Sequence, residues 1–297
     1  MYQSEVLGNG GIGAKVLKAS KFNDKTLWTL EIKAPKFIDA EFEKHRMLSS
    51  NSSSSRAIPF KNLEDYYLPF DLRANQSGMQ GYEKVADAIA EDFIWYMNMV
   101  RMNTEDVLNA YKDRVHKQHL NRYIEPWMYQ TKVVTATEWD NFFKLRLAAD
   151  VQPEMHELAK CMKLAMDIVT PYEVKLNEDY FHVPYVTDDL DFSNPTEVVY
   201  ALKCSVARCA RVSFTNRNRN TQKTIQDDFD LFDRLLSSGH MTPFEHQAKP
   251  MDIPYSDTFW KQEGATHIDV NGGVWSANFN GWAQYRKLVE AGLYLND

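Results

Sequence analysis

Apolar residues recur with two different periods along this chain, and that combination restricts the fold more than any other feature of the sequence. Residues 26–33 alternate apolar and polar side chains, the pattern of a half-buried strand, and Ala34-Pro35 ends the run. Residues 82–102 instead repeat apolar side chains every three to four positions, as an amphipathic helix does. A chain with both patterns is expected to fold in the α+β class.

Capping residues and prolines predict several further helices. Thr104, followed by the acidic Glu105 and Asp106, is expected to cap a helix that runs to about Leu120. Other helices are predicted at residues 137–147, from Gln152-Pro153-Glu154 onwards, from Asn194-Pro195 to Ala207, and at residues 222–237. Residues 37–47 fit either a helix or a strand, and residues 1–23 are expected to lead into the first strand.

Composition limits the classes of function. A chain of 297 residues with 44% hydrophobic and 25% charged residues is typical of a globular protein with one large domain or two modest ones. No run approaches the roughly 18–20 apolar residues of a membrane span, and the first residues lack a signal-peptide pattern, so we expect a cytoplasmic protein that does not bind membranes. The net charge of −7 argues against a nucleic-acid partner. An anionic ligand would therefore need a local basic pocket.

The cysteines indicate neither a disulfide framework nor a metal site. Cys161, Cys204 and Cys209 are too few and too widely spaced for either, so no metal is expected. Cys161 lies among apolar residues of a predicted helix, which favours a position in the core.

Residues 44–56 form the first segment that could carry chemistry. Lys44, His45 and Arg46 precede a serine-rich run, and Arg56 follows it. Guanidinium groups, hydroxyls and backbone N–H groups in such a loop can hold phosphate. The alternative is a solvated, flexible linker with incidental charges.

Two more segments carry polar residues with possible roles. Asn141 and Arg146, five residues apart on a predicted helix, could reach one cleft, although an ordinary amphipathic helix would give the same pattern. Further along, Gly239 is expected to stop a helix, and Thr242-Pro243 to begin another whose N-terminus could bind an anion. Here the alternative is that His240 and His246 only cap and pack.

Together these segments resemble the motifs of the flavin-dependent thymidylate synthases. The family's Arg-His-Arg block with its Ser- and Arg-containing loop is similar to residues 44–56, and its Phe-Leu-x-Leu-Arg and Gln-x-Glu blocks are similar to residues 142–146 and 152–154. Its Ala-Arg-Val-Ser-Phe and Gly-His-x-Thr-Pro-Phe-Glu-His blocks are similar to residues 210–214 and 239–246. In the family the last block precedes the first. The order here therefore resembles a circular permutation within a single domain, residues 1–297, with residues 169–200 as a new connection and residues 247–297 as a C-terminal extension.

The resemblance implies a reaction and an assembly. The family converts dUMP to dTMP, with methylenetetrahydrofolate as the carbon donor and a hydride from FAD that NADPH reduces. It also implies a central, mostly antiparallel sheet flanked by helices, in a homotetramer whose active sites lie between subunits. Because the cofactor carries the redox chemistry, the protein needs no strong nucleophile.

The resemblance also implies roles for individual residues. The residues expected to contact FAD are His45, Arg46, Asn51, Asn141, Ser213, Thr242 and Glu245. The residues expected on the substrate side are Glu41, Lys44, Ser54, Arg56, Arg122 and Arg146; of these, Ser54, Arg56 and Arg122 would hold the phosphate. Arg146 would hold the pyrimidine carbonyl and His240 would approach the flavin or folate, which makes Arg146, His240 and Ser54 the expected catalytic group.

Four departures from the family pattern keep other functions open. Lys44 stands where the family has Arg, Glu41 where it has Gln, Ser52 where it has Glu, and Asp150 where it has His. One alternative is a flavin and folate enzyme that methylates or hydroxymethylates another pyrimidine nucleotide, such as dCMP. Another is a catalytically silent relative that binds FAD or a nucleotide. We expect dUMP to be preferred over dCMP, because the Arg146 guanidinium can only donate hydrogen bonds and therefore suits a carbonyl.

Overall fold

A computed structural model of the chain describes residues 4–57, 60, 65–78, 81–175, 179–187, 191–212, 224–251, 267–268, 274–275, 278–290 and 292–295. Six strands form the main sheet: β1 (Val6–Leu7), β2 (Gly13–Phe22), β3 (Lys25–Pro35), β4 (Ser49–Ser52), β5 (Tyr129–Ala136) and β6 (Tyr172–Glu173). Their order is β1-β2-β3-β5-β4, antiparallel throughout, and β6 pairs with β2 in parallel. This confirms the mostly antiparallel sheet.

Helices and short strands surround this sheet. The helices are α1 (Asp39–Phe42), α2 (Asp87–Tyr111), α3 (Lys117–Ile124), α4 (Asp140–Arg146), α5 (Pro153–Asp167), α6 (Pro195–Arg211), α7 (Ile225–Ser237) and α8 (Tyr285–Glu290). The remaining strands form two antiparallel pairs: β7 (Ala248–Pro250) with β10 (Trp282–Gln284), and β8 (His267–Ile268) with β9 (Val274–Trp275). Among the described helices, none is long and apolar enough to cross a membrane.

One face of the sheet is buried, and the other is buried in part. Side chains alternate between the faces, so Leu30 and Val134 join one core with α5, which contributes Leu158. On the opposite face Thr29 and Thr135 lie fully buried beneath other segments of the chain. Replacing the fully buried Leu30 with alanine would lower the free energy of unfolding by about 2–5 kcal/mol.

The prediction for the N-terminal residues was wrong. They do not simply lead into the first strand, because residues 13–22 form β2, which joins β3 through a turn where Asn23 has φ 53°. Asparagine tolerates this left-handed conformation better than most residues. A bulge between Val16 and Lys18 shifts the side-chain alternation within β2, so the period-2 pattern is interrupted.

The predicted boundary between two helices at Thr104 was also wrong. The helix begins at Asp87 rather than residue 82 and continues through Thr104 to Tyr111. The Thr104 hydroxyl donates to the Val100 carbonyl at 2.8 Å, four residues back within the helix, instead of capping a new one. A separate helix, α3, follows at residues 117–124.

Two local predictions in the candidate motifs need correction. Part of the serine-rich run is neither a linker nor a loop, because Ser49–Ser52 form the edge strand β4, paired with β5. Thr242 does not cap a helix; it is the first residue of a four-residue 3-10 turn, Thr242–Glu245, without a side-chain capping bond. Gly239 does end α7, with φ 70°.

Candidate active site

A cavity of about 410 Å³ lies where the turn after α1 meets the start of α4. The turn lies there because Ser49, at the start of β4, pairs with Thr135, near the end of β5 that leads into α4. Residues of two distant motifs therefore face one space. The residues that line it are Lys44, His45, Arg46, Met47, Leu48, Glu138, Asp140, Asn141 and Phe142.

The cavity wall carries charges of both signs. Lys44 and Arg46 are exposed cations contributed by the turn, whereas Glu138 and Asp140 are exposed carboxylates near the start of α4. The cations suit an anionic ligand, and the carboxylates can accept hydrogen bonds from one. Sequence reasoning did not single out Glu138 or Asp140; Asp140 could have been noticed only as the neighbour of Asn141.

Beside the cavity, Arg146 contacts two predicted site residues. Its Nε donates to His45 Nε2 at 2.8 Å, and its Nη1 forms an ion pair with Glu41 Oε1. The Arg146 side chain is only 14% exposed and that of Glu41 is 32% exposed. The Nη2 amino group has no hydrogen-bond partner within the described residues and can donate to a ligand.

The contact with Arg146 fixes the protonation of His45. Because the Arg146 Nε–H can only donate, His45 Nε2 accepts, and the proton of the neutral imidazole lies on Nδ1. Burial lowers the pKa of His45, and the nearby positive charge of Arg146 lowers this pKa further. The ring also packs edge-on against Phe142, with centroids 4.9 Å apart. His45 is thus held as a neutral hydrogen-bond donor at the cavity wall.

A buried lysine holds the segment that carries Glu41. The Lys132 side chain on β5 is fully buried, and its Nζ pairs with Asp39 Oδ1 at 2.6 Å and with Glu43. Burial raises the pKa of Asp39, but the charges and hydrogen bonds of Lys132 and Lys36 outweigh this effect, and the net pKa is lowered. These bonds attach α1 to the sheet on both sides of Glu41. The sequence analysis missed Lys132, because nothing local distinguishes it from a lysine on the exposed side of a strand.

A second basic cluster, Ser54, Arg56 and Arg122, lies past the other end of β4. Arg122 Nη1 pairs with Glu125 Oε1 at 2.6 Å, and the same carboxylate oxygen accepts a hydrogen bond from Ser55, the residue between Ser54 and Arg56. The arginine side chains are exposed at the surface. The structure therefore brings Arg122 next to the loop of Ser54 and Arg56.

Residues 23–172, about half of the chain, match the family model described as thymidylate synthase complementing protein. The chain belongs to this family. It is also similar to the flavin-dependent thymidylate synthase of Aquifex aeolicus (strain VF5), with 27% identity over 161 residues, which are 52% of this chain and 50% of that protein. The chain thus spans about half the length of the curated relative that it matches.

The family match contains the cavity and the basic cluster but not the Thr242–Glu245 turn. That turn nevertheless lies beside β4. Gln284 links the two, because its amide donates to Ser49 Oγ at 3.1 Å and to the Glu245 carbonyl at 3.2 Å. His246, directly after the turn, hydrogen-bonds through Nδ1 to Thr135 Oγ1 at 2.9 Å.

Some predicted site residues have other contacts. Asn51 donates through its side chain to the Cys209 carbonyl at 2.9 Å, which ties β4 to α6. His240 is exposed and contacts Ser238 Oγ at 2.7 Å. Within the described residues no hydrogen bond or ion pair connects His240, Thr242 or Glu245 to the group of Glu41, His45 and Arg146. Ser213 lies outside the described residues.

Proposed function

We propose that the chain is a flavin-dependent thymidylate synthase, which converts dUMP to dTMP with methylenetetrahydrofolate as carbon donor and NADPH as reductant. The observation that carries the proposal is the shared cavity of His45, Arg46 and Asn141 beside Arg146, within the part that matches the family. The name of the Aquifex aeolicus relative agrees with it.

The residues around the cavity fit a flavin. The cavity has a volume of about 410 Å³, which lies within the range of roughly 300–1,000 Å³ typical of small-molecule sites. Phe142 offers an apolar surface, while Lys44 and Arg46 offer cations for an anionic cofactor. FAD would supply the hydride that no side chain can provide. His45, Arg46 and Asn141 would hold and orient it, and His45 would do so as a neutral donor.

Arg146 is the residue that we assign to the pyrimidine. Glu41 and His45 fix its guanidinium and leave Nη2 available, so it can donate to a carbonyl oxygen of the base. A positioned donor stabilises negative charge as it develops on the ring.

The cluster of Ser54, Arg56 and Arg122 would bind the nucleotide phosphate through charge-assisted hydrogen bonds. Thr242, Glu245, Ser213, Asn51 and His240 complete the set that the resemblance implies.

We also propose that the motif order is circularly permuted. The contacts of the Thr242–Glu245 turn with β4 support this proposal, since they join the last motif of the chain to the first. A permuted chain keeps the same contacts when the former ends lie close enough to be joined. Residues 169–200 would be the new connection.

The test uses the purified chain with FAD, dUMP, methylenetetrahydrofolate and NADPH. It should bind FAD and form dTMP, and omission of any one component should abolish product. Arg146→Ala should lower kcat/KM by a factor on the order of 10²–10³, the usual effect of removing a donor to a developing charge. Lys144→Ala is the matched control, because Lys144 is an exposed cation on the same helix that does not line the cavity. No binding of FAD at high micromolar concentration would refute the proposal, and FAD binding without turnover of any nucleotide would favour the silent relative.

A further inference from the structure

The described residues 278–290, near the C-terminus and outside the family match, are built into the fold around the Thr242–Glu245 turn. β10 pairs with β7 directly after the turn, and the Tyr285 N–H donates to the Gln247 carbonyl at 2.9 Å. The Tyr285 ring stacks on Phe244 of the turn, with centroids 5.9 Å apart. Trp282 and Tyr285 are both fully buried. The position of this segment relative to the turn is thus fixed by packing and by backbone bonds.

The same segment also contacts β4, the strand that carries Ser49 and Asn51. Gln284, only 4% exposed, bonds both Ser49 Oγ and the Glu245 carbonyl. Asn278 also donates to Ser49 Oγ, at 3.1 Å. Ser49 lies two residues before Asn51 on β4. The segment therefore connects the two motifs that carry Asn51 and Glu245.

Arg286, the residue at the start of α8 next to Tyr285, pairs directly with the side chain of Glu245. Its Nη1 lies 2.5 Å from Glu245 Oε1, and its Nε donates to Glu290 Oε1 at 3.0 Å. The Glu245 side chain is only 18% exposed, so its charge is weakly screened by solvent. Arg286 is the ionic partner of Glu245 within the described part of the chain.

We propose that Arg286 is a positioning residue of the cofactor site: it neutralises Glu245 and orients its carboxylate, so that the Thr242–Glu245 turn accepts the diphosphate of FAD. This inference rests on the proposed function and on the family resemblance, which implies that Thr242 and Glu245 contact FAD on its diphosphate and ribose side. Without Arg286, a half-buried carboxylate would repel the negatively charged diphosphate. With it, the turn presents no net negative charge, and the oriented Glu245 can still accept a ribose hydroxyl.

The test compares FAD dissociation constants of the full chain and its variants at low salt. Arg286→Ala should weaken FAD binding about tenfold, or roughly 1.4 kcal/mol. Arg286→Lys should recover part of the loss, because it restores the charge without the planar guanidinium. Lys287→Ala is the matched control: Lys287 is the neighbouring cation and also pairs with Glu290, but it has no contact with Glu245. Thermal unfolding of each variant checks that it is folded.

A double-mutant cycle separates charge neutralisation from a purely structural role. In the Glu245→Gln background there is no carboxylate to neutralise, so Arg286→Ala should weaken FAD binding less than twofold. The proposal is overturned if Arg286→Ala and Lys287→Ala bind FAD alike, or if the loss is unchanged in the Glu245→Gln background. A wild-type chain that binds no FAD would instead refute the proposed function, and this role with it.

Discussion

At the scale of single residues, Glu41 is the side chain that bears most directly on the choice of base. The resemblance places Gln at this position, and the carboxylate could accept a hydrogen bond from the amino group of cytosine. In the structure that carboxylate pairs with Arg146 instead. Its acceptor capacity is thus partly used, while Arg146 keeps Nη2 for a carbonyl. We infer that this arrangement favours uracil, because Nη2 can donate to O4 of uracil, whereas cytosine has an amino donor at position 4.

We therefore expect wild-type protein to prefer dUMP over dCMP, and Glu41→Gln to raise that preference further, because the change removes the charged acceptor that suits cytosine. The measurement is kcat/KM for both nucleotides with methylenetetrahydrofolate and NADPH held constant. Glu138→Gln is the control, since Glu138 is a carboxylate that lines the cavity without contacting Arg146. A tenfold wild-type advantage for dCMP, about 1.4 kcal/mol in transition-state binding, would contradict the assignment of dUMP.

At the scale of elements, a buried chain of hydrogen bonds crosses three neighbouring strands. Ser20 on β2 bonds His182 Nδ1 at 2.8 Å, and His182 Nε2 bonds Thr29 on β3 at 2.8 Å. Thr29 bonds Thr135 on β5 at 2.8 Å, and Thr135 bonds His246 at 2.9 Å. Burial lowers the pKa of His246 to about 3, and burial followed by the charge of Lys18 lowers that of His182. Both rings are therefore neutral in the folded protein near neutral pH.

These two histidines predict a pH dependence of stability. Between about pH 6.5 and 3, the unfolded His246 binds a proton that the folded one does not, so the free energy of unfolding falls as the pH falls through this window. The slope for one such group is about 1.4 kcal/mol per pH unit, and it vanishes above the unfolded pKa. Denaturant unfolding at several pH values should show a shallower slope for His246→Gln than for wild type. Equal slopes would mean that His246 is protonated in the folded state.

The elements differ in how far the sequence could predict them. β3 was predictable because its alternation is uninterrupted, whereas the bulge in β2 breaks the period and conceals the strand. β4 was missed because its serines give no apolar signal; an edge strand is specified by its partner β5. In the candidate site, the motifs pointed to His45 and Asn141, which line the cavity, and to Arg146, which contacts His45. By contrast, the pairing of Glu41 with Arg146 spans 105 residues and depends on the tertiary fold.

At the scale of the whole molecule, segments from opposite ends of the chain form one structure. The family match ends at residue 172, yet Gln284 and His246 bond Ser49 and Thr135 within the matched part. Hydrogen-bond geometry depends on position in space and not on order along the chain. The proposed permutation therefore requires no change in the site, only that its motifs be joined differently.

The last prediction concerns assembly: the family resemblance implies a homotetramer, and α2 offers an exposed apolar surface for contact between subunits. Its apolar residues Phe93, Trp95 and Val100 are 45%, 55% and 50% exposed, and large exposed apolar surfaces on a helix mark contact with a partner. We expect light scattering to give a homotetramer of 34.5 kDa chains. Phe93 and Val100 lie seven residues apart on one helix face, so the double change Phe93→Glu and Val100→Glu would bury charge in the contact and should lower the mass. If the sites lie between subunits, FAD binding should weaken in parallel. Leu164→Glu, at a residue 45% exposed on α5, is the control and should leave the mass unchanged. A wild-type monomer that binds FAD would contradict the predicted homotetramer.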